Sequence, residues 1–212
     1  MTTHLEILVA TRNTGKIREI REAFLSSAIR LRYLDEFPNV SAVDEIGRTY
    51  EENAVLKASG YSKQTGVWAL ADDSGLEVDA LGGMPGVLSA RFGGNHASDD
   101  ERIEKLLEAL SQHPYKKRTA RFVCCMALVA CQPKEDTVNT ADPRLLHVTE
   151  GRCEGVIAQA SRGTNGFGFD PVFVPNPYHA TFAELPAEVK TLISHRARAL
   201  TAMRVFFERL FW

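Results

Sequence analysis

Short apolar runs that alternate with segments of helical periodicity constrain the fold of this chain more than any other feature. Residues 5–10 (LEILVA) predict a buried strand, and the polar loop TRNTGK follows at once. The next segment, IREIREAFLSSA, places Ile17, Ile20, Phe24 and Leu25 on one face of a helix. The chain therefore begins as strand, loop and helix, which is the opening unit of an α/β sheet.

The same alternation continues and then gives way to consecutive strands. Further helices are predicted over residues 50–63 and 98–110 and from about residue 186 to the C-terminus, and further strands over 67–71, 118–131 and 145–160. A polar connection with two prolines, residues 133–144, predicts an exposed hairpin loop between the last two strands. We expect a mixed α/β fold with a twisted sheet flanked by helices, formed by residues 1–212 as one domain.

Composition argues against several classes of function. The 25 basic and 27 acidic residues leave a formal charge of −2, which gives no strong field for a nucleic acid polymer. The four cysteines have neither the spacing of a zinc site nor that of a disulfide scaffold. Because the N-terminal segment has no basic leader and no window reaches the length of a membrane span, we expect a cytoplasmic protein without a membrane partner.

The loop TRNTGK, residues 11–16, lies between the first strand and its helix, where backbone amides and the helix dipole favour an anion. Lys16 adds a full positive charge there. The loop has one glycine, and Ile17 follows the lysine, so it does not match the phosphate-binding pattern G-x-x-x-x-G-K-[ST]. An ordinary capped turn, with Asn13 or Thr14 as N-cap, is the alternative interpretation.

Two adjacent acids, Asp72 and Asp73, end the second predicted strand in the sequence LADDSGL. Neighbouring carboxylates repel each other unless positive groups lie close by. If the strand continues, the two side chains point to opposite faces, so that one holds the loop and the other faces a cleft. An Asp turn that leads into a hairpin is the alternative. Ser74 is not on a G-x-S-x-G elbow, which argues against a serine hydrolase.

The predicted second helix starts with Thr49-x-x-Glu52, a capping box in which the Glu52 side chain folds back on the Thr49 amide. Glu51, Asn53 and Lys57 crowd the same helix start with polar groups. A carboxylate at this place equally suits a divalent cation. Spacing alone leaves both roles open for Glu52.

Residues 163–175, GTNGFGFDPVFVP, combine glycines with aromatic rings. Glycine permits close approach of the backbone to a ligand, and Phe167 or Phe169 can stack on a flat ring. The alternative is that the glycines form turns and the phenylalanines belong to the core.

The C-terminal segment carries an arginine within an apolar stripe. Apolar side chains follow a four-three alternation, and the gap in the stripe falls at Arg196. If one helix runs through, Arg196 lies on its core face and needs an anionic partner. If Ser194 caps a new helix, His195 and Arg196 lie in its first turn, where anions bind. Both arrangements, together with Lys190, direct positive charge toward a negative group.

Five segments resemble, in order and spacing, the signature segments of the inosine triphosphate pyrophosphatase family, also called the Ham1 family. They are TRNTGK, EENAVLKA, LADDSGLEVDALGGMPGVLSARF, GFGFDPVF and KTLISHR. Each is weak alone, but five in sequence are specific, and the likeness runs from Ile7 to about Arg204. The resemblance implies an elongated α/β fold with two lobes and a central nucleotide cleft, and usually a homodimer.

The resemblance also implies Mg²⁺-dependent hydrolysis of ITP, dITP and XTP to the nucleoside monophosphate and pyrophosphate, which removes deaminated purines from the nucleotide pool. It implies that Glu52 and Asp73 hold the magnesium, that Asp73 is the proton acceptor, and that Lys16 is the second catalytic residue. The substrate-binding residues that it implies are Thr11, Arg12, Asn13, Thr14, Gly15, Lys16, Ser74, Phe167, Gly168, Phe169, Asp170, Lys190, His195 and Arg196. Of these, it implies that Phe167 stacks on the base. Arg91 matches a position that lies near the base in the family.

Two rival functions stay open beside this one. A Maf-like nucleotide pyrophosphatase shares the fold but prefers other nucleotides, and its motifs match less well around ISHR. A nucleotide sensor keeps the pocket without turnover, but it has no need of a proton acceptor.

Among purines, donors from His195 or Arg196 that face O6 would reject adenine, because its amino group leaves them unpaired.

Overall fold

A computed structural model describes residues 5–25, 29–94, 96–112, 117–133 and 141–211. Over these described residues the chain forms five α-helices and six strands. In chain order they are β1 Leu5–Val9, α1 Thr14–Phe24, β2 Ile29–Tyr33, α2 Tyr50–Thr65, β3 Trp68–Val78, α3 Asp99–Ser111, β4 Thr119–Pro133, β5 Ala141–Ile157, β6 Phe173–Pro175, α4 Ala187–Ile193 and α5 His195–Phe211.

The strands form one mixed sheet in the order β2-β1-β3-β4-β5-β6. Strand β1 pairs in parallel with β2 and with β3, whereas β5 pairs antiparallel with β6. The mixed α/β class predicted from the sequence is therefore confirmed.

Two compact units divide the chain. The first comprises Met1–Asp73, Cys125–Glu150 and Ala199–Trp212, and the second comprises Ser74–Cys124 and Gly151–Arg198. Each unit has a hydrophobic core of its own.

Alanines dominate one core of the first unit. Because alanine has a short side chain, α2 can pack closely on the strands there. The buried side chains of this core are Leu8, Ala10, Leu34, Ala54, Ala58, Tyr61, Ala69, Ala71, Ala127 and Val129.

The core of the second unit uses larger side chains. The rings of Phe122 and Phe173 lie 4.7 Å apart edge to face, a favourable arrangement for aromatic pairs. Helix α3 contributes a buried face at helical spacing that includes Leu106 and Leu110. The α3 N-cap is Ser98, as predicted, and its hydroxyl accepts a hydrogen bond from the Glu101 amide.

Several predicted boundaries are wrong. Strand β3 does not end at the two acids but continues to Val78, which excludes the Asp-turn alternative. Helix α1 ends at Phe24, so Leu25 lies beyond its apolar face and is 74% exposed. Strands β2 and β6 were not predicted, because both are short and β2 alternates with arginines. Residues 134–140 of the predicted hairpin loop lie outside the described residues, and residues 141–144, which were predicted to belong to the loop, form the start of β5.

The C-terminal segment forms two helices, as the second of the two interpretations requires. Ser194 has an extended backbone between α4 and α5, with φ −65° and ψ 157°. Its hydroxyl accepts a hydrogen bond from the Ala197 amide at 3.1 Å and so caps α5. His195 and Arg196 consequently lie in the first turn of α5 and are both buried.

No helix in the described part of the chain is long and apolar enough to cross a membrane.

We expect Gly155→Ala to destabilise the second unit, because Gly155 pairs closely with β6. An added Cβ would lie 2.3 Å from the Val174 carbonyl oxygen, and a backbone atom cannot move aside cheaply. The expected loss in free energy of unfolding is about 3 kcal/mol, measured by urea denaturation. Gly66→Ala is the control: it adds the same methyl in open space at a φ of 72°, and should cost about 1 kcal/mol. Equal losses in the two variants would contradict the steric argument.

Candidate functional site

The two adjacent acids of β3 are both buried, on opposite faces of the strand. Asp72 is 0% exposed, and its Oδ2 lies 3.0 Å from Lys16 Nζ, which comes from the first turn of α1. Asp73 is 6% exposed, and its Oδ2 accepts a hydrogen bond from Asn53 Nδ2 of α2 at 3.0 Å. Because successive side chains of a strand alternate, each acid receives its positive or polar partner from a different helix.

Lys57 of α2 adds positive charge beside Asp73. Its Nζ lies 4.0 Å from Asp73 Oδ1 and 3.2 Å from Glu45 Oε2. One buried lysine therefore brings two carboxylates together that are far apart in the sequence. We call the resulting group the acid–lysine cluster; it consists of Lys16, Glu45, Asn53, Lys57, Asp72 and Asp73.

Burial raises the pKa of the Asp73 carboxyl above its usual range. The positive charges of Lys57 and Lys16 and the hydrogen bond from Asn53 oppose this rise. A carboxylate with a raised pKa is a better proton acceptor than an exposed one, and the lysines favour its ionised form. Asp73 thus combines both properties that general base chemistry requires.

The loop before α1 is a capped turn. Asn13 is the N-cap, because its Oδ1 accepts a hydrogen bond from the Lys16 amide at 3.0 Å. Thr11 Oγ1 accepts another from the Asn13 amide at 3.2 Å. Arg12 and Thr14 are exposed and Gly15 is half-buried. The cap orients the first turn of α1, from which Lys16 reaches Asp72.

Glu52 folds back on the chain, but one residue earlier than the predicted capping box. Its Oε2 accepts a hydrogen bond from the Arg48 amide at 2.6 Å, not from Thr49. The Thr49 hydroxyl in turn accepts from the Glu52 amide at 3.1 Å. The Glu52 side chain therefore binds the backbone of the loop that precedes α2. The acid that lies beside Lys57 together with Asp73 is Glu45.

Sequence reasoning missed Glu45. Its partner Lys57 lies 12 residues later, in a helix, and no local pattern connects an acid in a loop with a lysine at that distance. The buried position of Lys57 is the signal that finds Glu45, because a buried lysine needs a carboxylate partner.

The donor set of the acid–lysine cluster is suited to a hard divalent cation. In the part of the chain that the structure describes, no group of three or more His, Cys, Asp or Glu side chains gathers as a closed metal cage. Mg²⁺ is usually held by one or two carboxylates together with substrate phosphates and water, so it needs no such cage. Asp73 and Glu45 supply two carboxylates of this kind.

A second group of predicted residues surrounds Phe167 in the second unit. Asp170 is buried, and its Oδ2 accepts hydrogen bonds from Lys190 Nζ at 2.5 Å and from the Phe167 amide at 2.9 Å. Lys190 Nζ also lies 4.6 Å from the centre of the Phe167 ring. We call this group the aromatic–cation cluster; it consists of Ser74, Phe167, Asp170, Lys190 and Arg196, together with His195, which precedes Arg196 in the chain.

Arg196 is 1% exposed and is fixed within this cluster. Its Nη2 donates a hydrogen bond to Ser74 Oγ at 2.8 Å, and its guanidinium carbon lies 5.8 Å from the centre of the Phe167 ring. His195 stacks on Phe122, with ring centres 4.7 Å apart. The cation that breaks the apolar stripe is thus held by a hydroxyl and by a ring.

The segment around Phe167, which we call the aromatic loop (residues 163–170), presents one of its two rings and buries the other. Phe167 is half-buried, whereas Phe169 belongs to the core of the second unit. Gly166 has a φ of 81°, and a Cβ there would lie 2.0 Å from Asp170 Oδ2. Phe167 is therefore the ring of this loop that is suited to stacking.

Two further residues from the sequence analysis, Arg91 and Glu51, lie at the surface. Arg91 is exposed at the end of the 3-10 helix Gly86–Arg91, and Glu51 is exposed on the first turn of α2.

Comparison with known proteins confirms the resemblance seen in the five segments. The model of the Ham1 family matches residues 7–206. A dITP/XTP pyrophosphatase of Bacillus cereus is 43% identical over 200 residues, which cover 94% of this chain and 93% of that protein. One of Geobacter sulfurreducens is 46% identical over 198 residues, covering 93% and 94%. The solved structure of a HAM1 protein from Coxiella burnetii has a TM-score of 0.84 at 41% identity and covers 97% of this chain and 99% of that one.

We expect Asp73→Asn to raise stability at neutral pH. A raised pKa in the folded state means that ionised Asp73 opposes folding above that pKa, so removing the charge should raise the melting temperature. The difference from the wild type should shrink as the pH falls through the pKa of Asp73, because the native carboxyl is then neutral too. Thermal denaturation from about pH 4 to about pH 8 measures this.

Asp72→Asn is the matched control. It leaves the half-buried Lys16 without its ion pair to the buried Asp72 side chain and should destabilise the protein by about 3 kcal/mol at neutral pH. An Asp73→Asn protein that melts below the wild type throughout this pH range would show that burial is not the dominant effect at Asp73.

Proposed function

Because this chain belongs to the Ham1 family, we propose that it hydrolyses ITP, dITP and XTP to the nucleoside monophosphate and pyrophosphate. This reaction removes deaminated purines from the nucleotide pool. The relatives that resemble it over nearly their whole length are dITP/XTP pyrophosphatases. The observation that carries the proposal is Asp73, a buried carboxylate with a raised pKa that lies among lysines and a second acid.

The acid–lysine cluster has the composition that triphosphate hydrolysis needs. Lys16 and the N-terminal turn of α1, with Thr11, Arg12, Asn13, Thr14 and Gly15, would bind the phosphates, since a helix N-terminus and a lysine favour anions. Asp73 would accept the proton of the attacking water. Asp72 holds the Lys16 ammonium group at a fixed place and is a positioning residue in this proposal.

The charge of the acid–lysine cluster supports a divalent cation as cofactor in this proposal. With two lysines and three carboxylates, the cluster has a formal charge of −1, which repels a triphosphate. Bound Mg²⁺ would offset the charge of the phosphate oxygens and lower the pKa of a coordinated water. We propose Asp73 and Glu45 as its protein ligands, in place of the pair Asp73 and Glu52 that the resemblance implies, because both carboxylates lie beside Lys57 Nζ. The Oε2 of Glu52 instead accepts a hydrogen bond from the Arg48 amide.

The aromatic–cation cluster suits recognition of the base. The Phe167 ring would stack on the purine, and Ser74, Asp170 and Lys190 would complete the pocket with the backbone of Gly168 and Phe169. Hypoxanthine and xanthine carry an oxygen at C6, whereas adenine carries an amino group. Donors from His195 or Arg196 directed at O6 would therefore select against adenine, because an unpaired buried donor is costly.

The finer expectations belong to the same proposal. They are Mg²⁺ as the metal, a homodimer, and a place in the cytoplasm. Neither rival function gains support from a specific observation: the relatives named above are dITP/XTP pyrophosphatases, and a nucleotide sensor would not need a general base such as Asp73.

We expect pyrophosphate as the product when the purified protein and Mg²⁺ are incubated with ITP, dITP or XTP. ATP should be a poorer substrate by about 100-fold in kcat/KM, because donors that face O6 cannot pair with an amino group. Separate assays of pyrophosphate and orthophosphate, with ATP, GTP and dTTP as comparisons, measure this. Orthophosphate alone would place cleavage at the terminal phosphate, turnover mainly of dTTP would favour the Maf-like function, and binding without turnover would favour a sensor.

Glu45→Gln should raise the Mg²⁺ concentration needed for half-maximal activity by about tenfold or more, because one of two carboxylate ligands is lost. Glu52→Gln is the matched control, since its amide oxygen can still accept from the Arg48 amide. We expect its Mg²⁺ requirement to stay within about twofold of the wild type. The opposite order would assign the metal to Glu52 instead. Titration of activity with Mg²⁺ at saturating dITP distinguishes the two.

A further inference from the structure

The aromatic loop keeps its shape through backbone N–H groups that donate to carboxylates. Gly166 and Gly168 have φ values of 81° and 62°, in the left-handed region that favours glycine, so the chain turns on both sides of Phe167. The Phe167 amide donates to Asp170 Oδ2 at 2.9 Å, and the Gly168 amide donates to Asp99 Oδ2 at 2.6 Å. Two acids therefore hold two successive amides on either side of the Phe167 ring.

Asp99 is the first residue of α3 and precedes Gly168 by 69 positions in the chain. Its other carboxylate oxygen, Oδ1, accepts a hydrogen bond from Arg102 Nη1 one helical turn later. Helix α3 is fixed in turn by side chains such as Leu106, which is buried in the core of the second unit. Asp99 thus connects a well-packed helix with the half-buried Gly168 of the aromatic loop.

The contact is not explained by the needs of the helix alone. Ser98 already caps α3, and Glu101 accepts from the Ser98 amide, so the helix start has its own hydrogen bonds. A first-turn acid also interacts favourably with the helix dipole, but Asp100 supplies the same charge and is exposed. What distinguishes Asp99 from its neighbour is the bond to the Gly168 amide.

We propose that Asp99 is a positioning residue for base recognition. It holds the Gly168 amide, and through it the Phe167 ring, in the conformation that stacks on the purine. The inference rests on the proposed function, in which Phe167 binds the base. Asp99 takes no part in the chemistry, because the proton acceptor and the metal ligands belong to the acid–lysine cluster.

This role has a kinetic signature. A loop that must be ordered by the substrate uses part of the binding energy for that purpose, so affinity falls while the chemical step is kept. For Asp99→Ala we expect KM for dITP to rise about tenfold, with kcat within about twofold of the wild type. Asp99→Asn retains one oxygen for its two donors, Gly168 and Arg102, and should give an intermediate KM.

Asp100→Ala is the matched control. It removes an acid from the same helix turn and changes the net charge equally, but it leaves the contact with Gly168 intact. Its KM and kcat should equal those of the wild type. Equal KM values in Asp99→Ala and Asp100→Ala would overturn the proposal, and so would a loss of kcat at unchanged KM, which indicates a merely structural role. If Asp99→Ala does not fold, the comparison of Asp99→Asn with Asp100→Asn decides in the same way.

Amide hydrogen exchange separates this proposal from the proposed function. Measured by NMR without nucleotide, exchange of the Gly168 amide should be about tenfold faster in Asp99→Ala than in the wild type and unchanged in Asp100→Ala. Unchanged exchange in Asp99→Ala would overturn the positioning role even if the wild type hydrolyses dITP. A wild type that shows protected Gly168 but no hydrolysis would instead overturn the proposed function.

Discussion

Burial of two neighbouring carboxylates in one strand is the constraint on which the first unit depends. An ionised acid without a partner in such a place would cost several kcal/mol, on the order of the stability of a whole domain. The cost is offset because Lys16 of α1 approaches Asp72 while Asn53 and Lys57 of α2 approach Asp73. The two helices are consequently bound to opposite faces of β3 by charge as well as by apolar packing.

Features that depend on nearby residues could be predicted from the sequence. Ser98 was predicted as the cap of α3, Asn13 was one of two candidate caps of α1, and a new helix after Ser194 was one of two interpretations. All three are decided within one helical turn. The true end of β3 could not be predicted, because acids normally end a buried strand and their partners here come from distant helices. Glu45 was missed for the same reason, since Lys57 connects it to Asp73 only in the folded chain.

The predicted base-binding residues show a similar limit. The sequence predicted that Arg196 needs a partner, but not that Ser74, 122 positions earlier, would accept its hydrogen bond. Residue type left Phe167 and Phe169 as equal candidates for stacking, and the Ham1 resemblance favoured Phe167. The packing of Phe169 against the core separates the two rings physically. Residue type indicates which side chains can do chemistry, whereas burial decides which of them remain accessible.

The acid–lysine cluster depends on paired charges, whereas the aromatic–cation cluster depends on the position of one ring. In the acid–lysine cluster each of the two lysines has a carboxylate partner, which fixes its position. If substrate binds there as proposed, little conformational entropy of these side chains is lost. The same pairing leaves the cluster with excess negative charge, so we infer that a divalent cation and the phosphates bind in a mutually dependent way. The aromatic–cation cluster instead depends on the position of the Phe167 ring. That position is fixed by hydrogen bonds from the Phe167 and Gly168 amides to Asp170 and Asp99. In the proposed function, selectivity for the base can therefore change through the aromatic loop without altering the charges of the acid–lysine cluster.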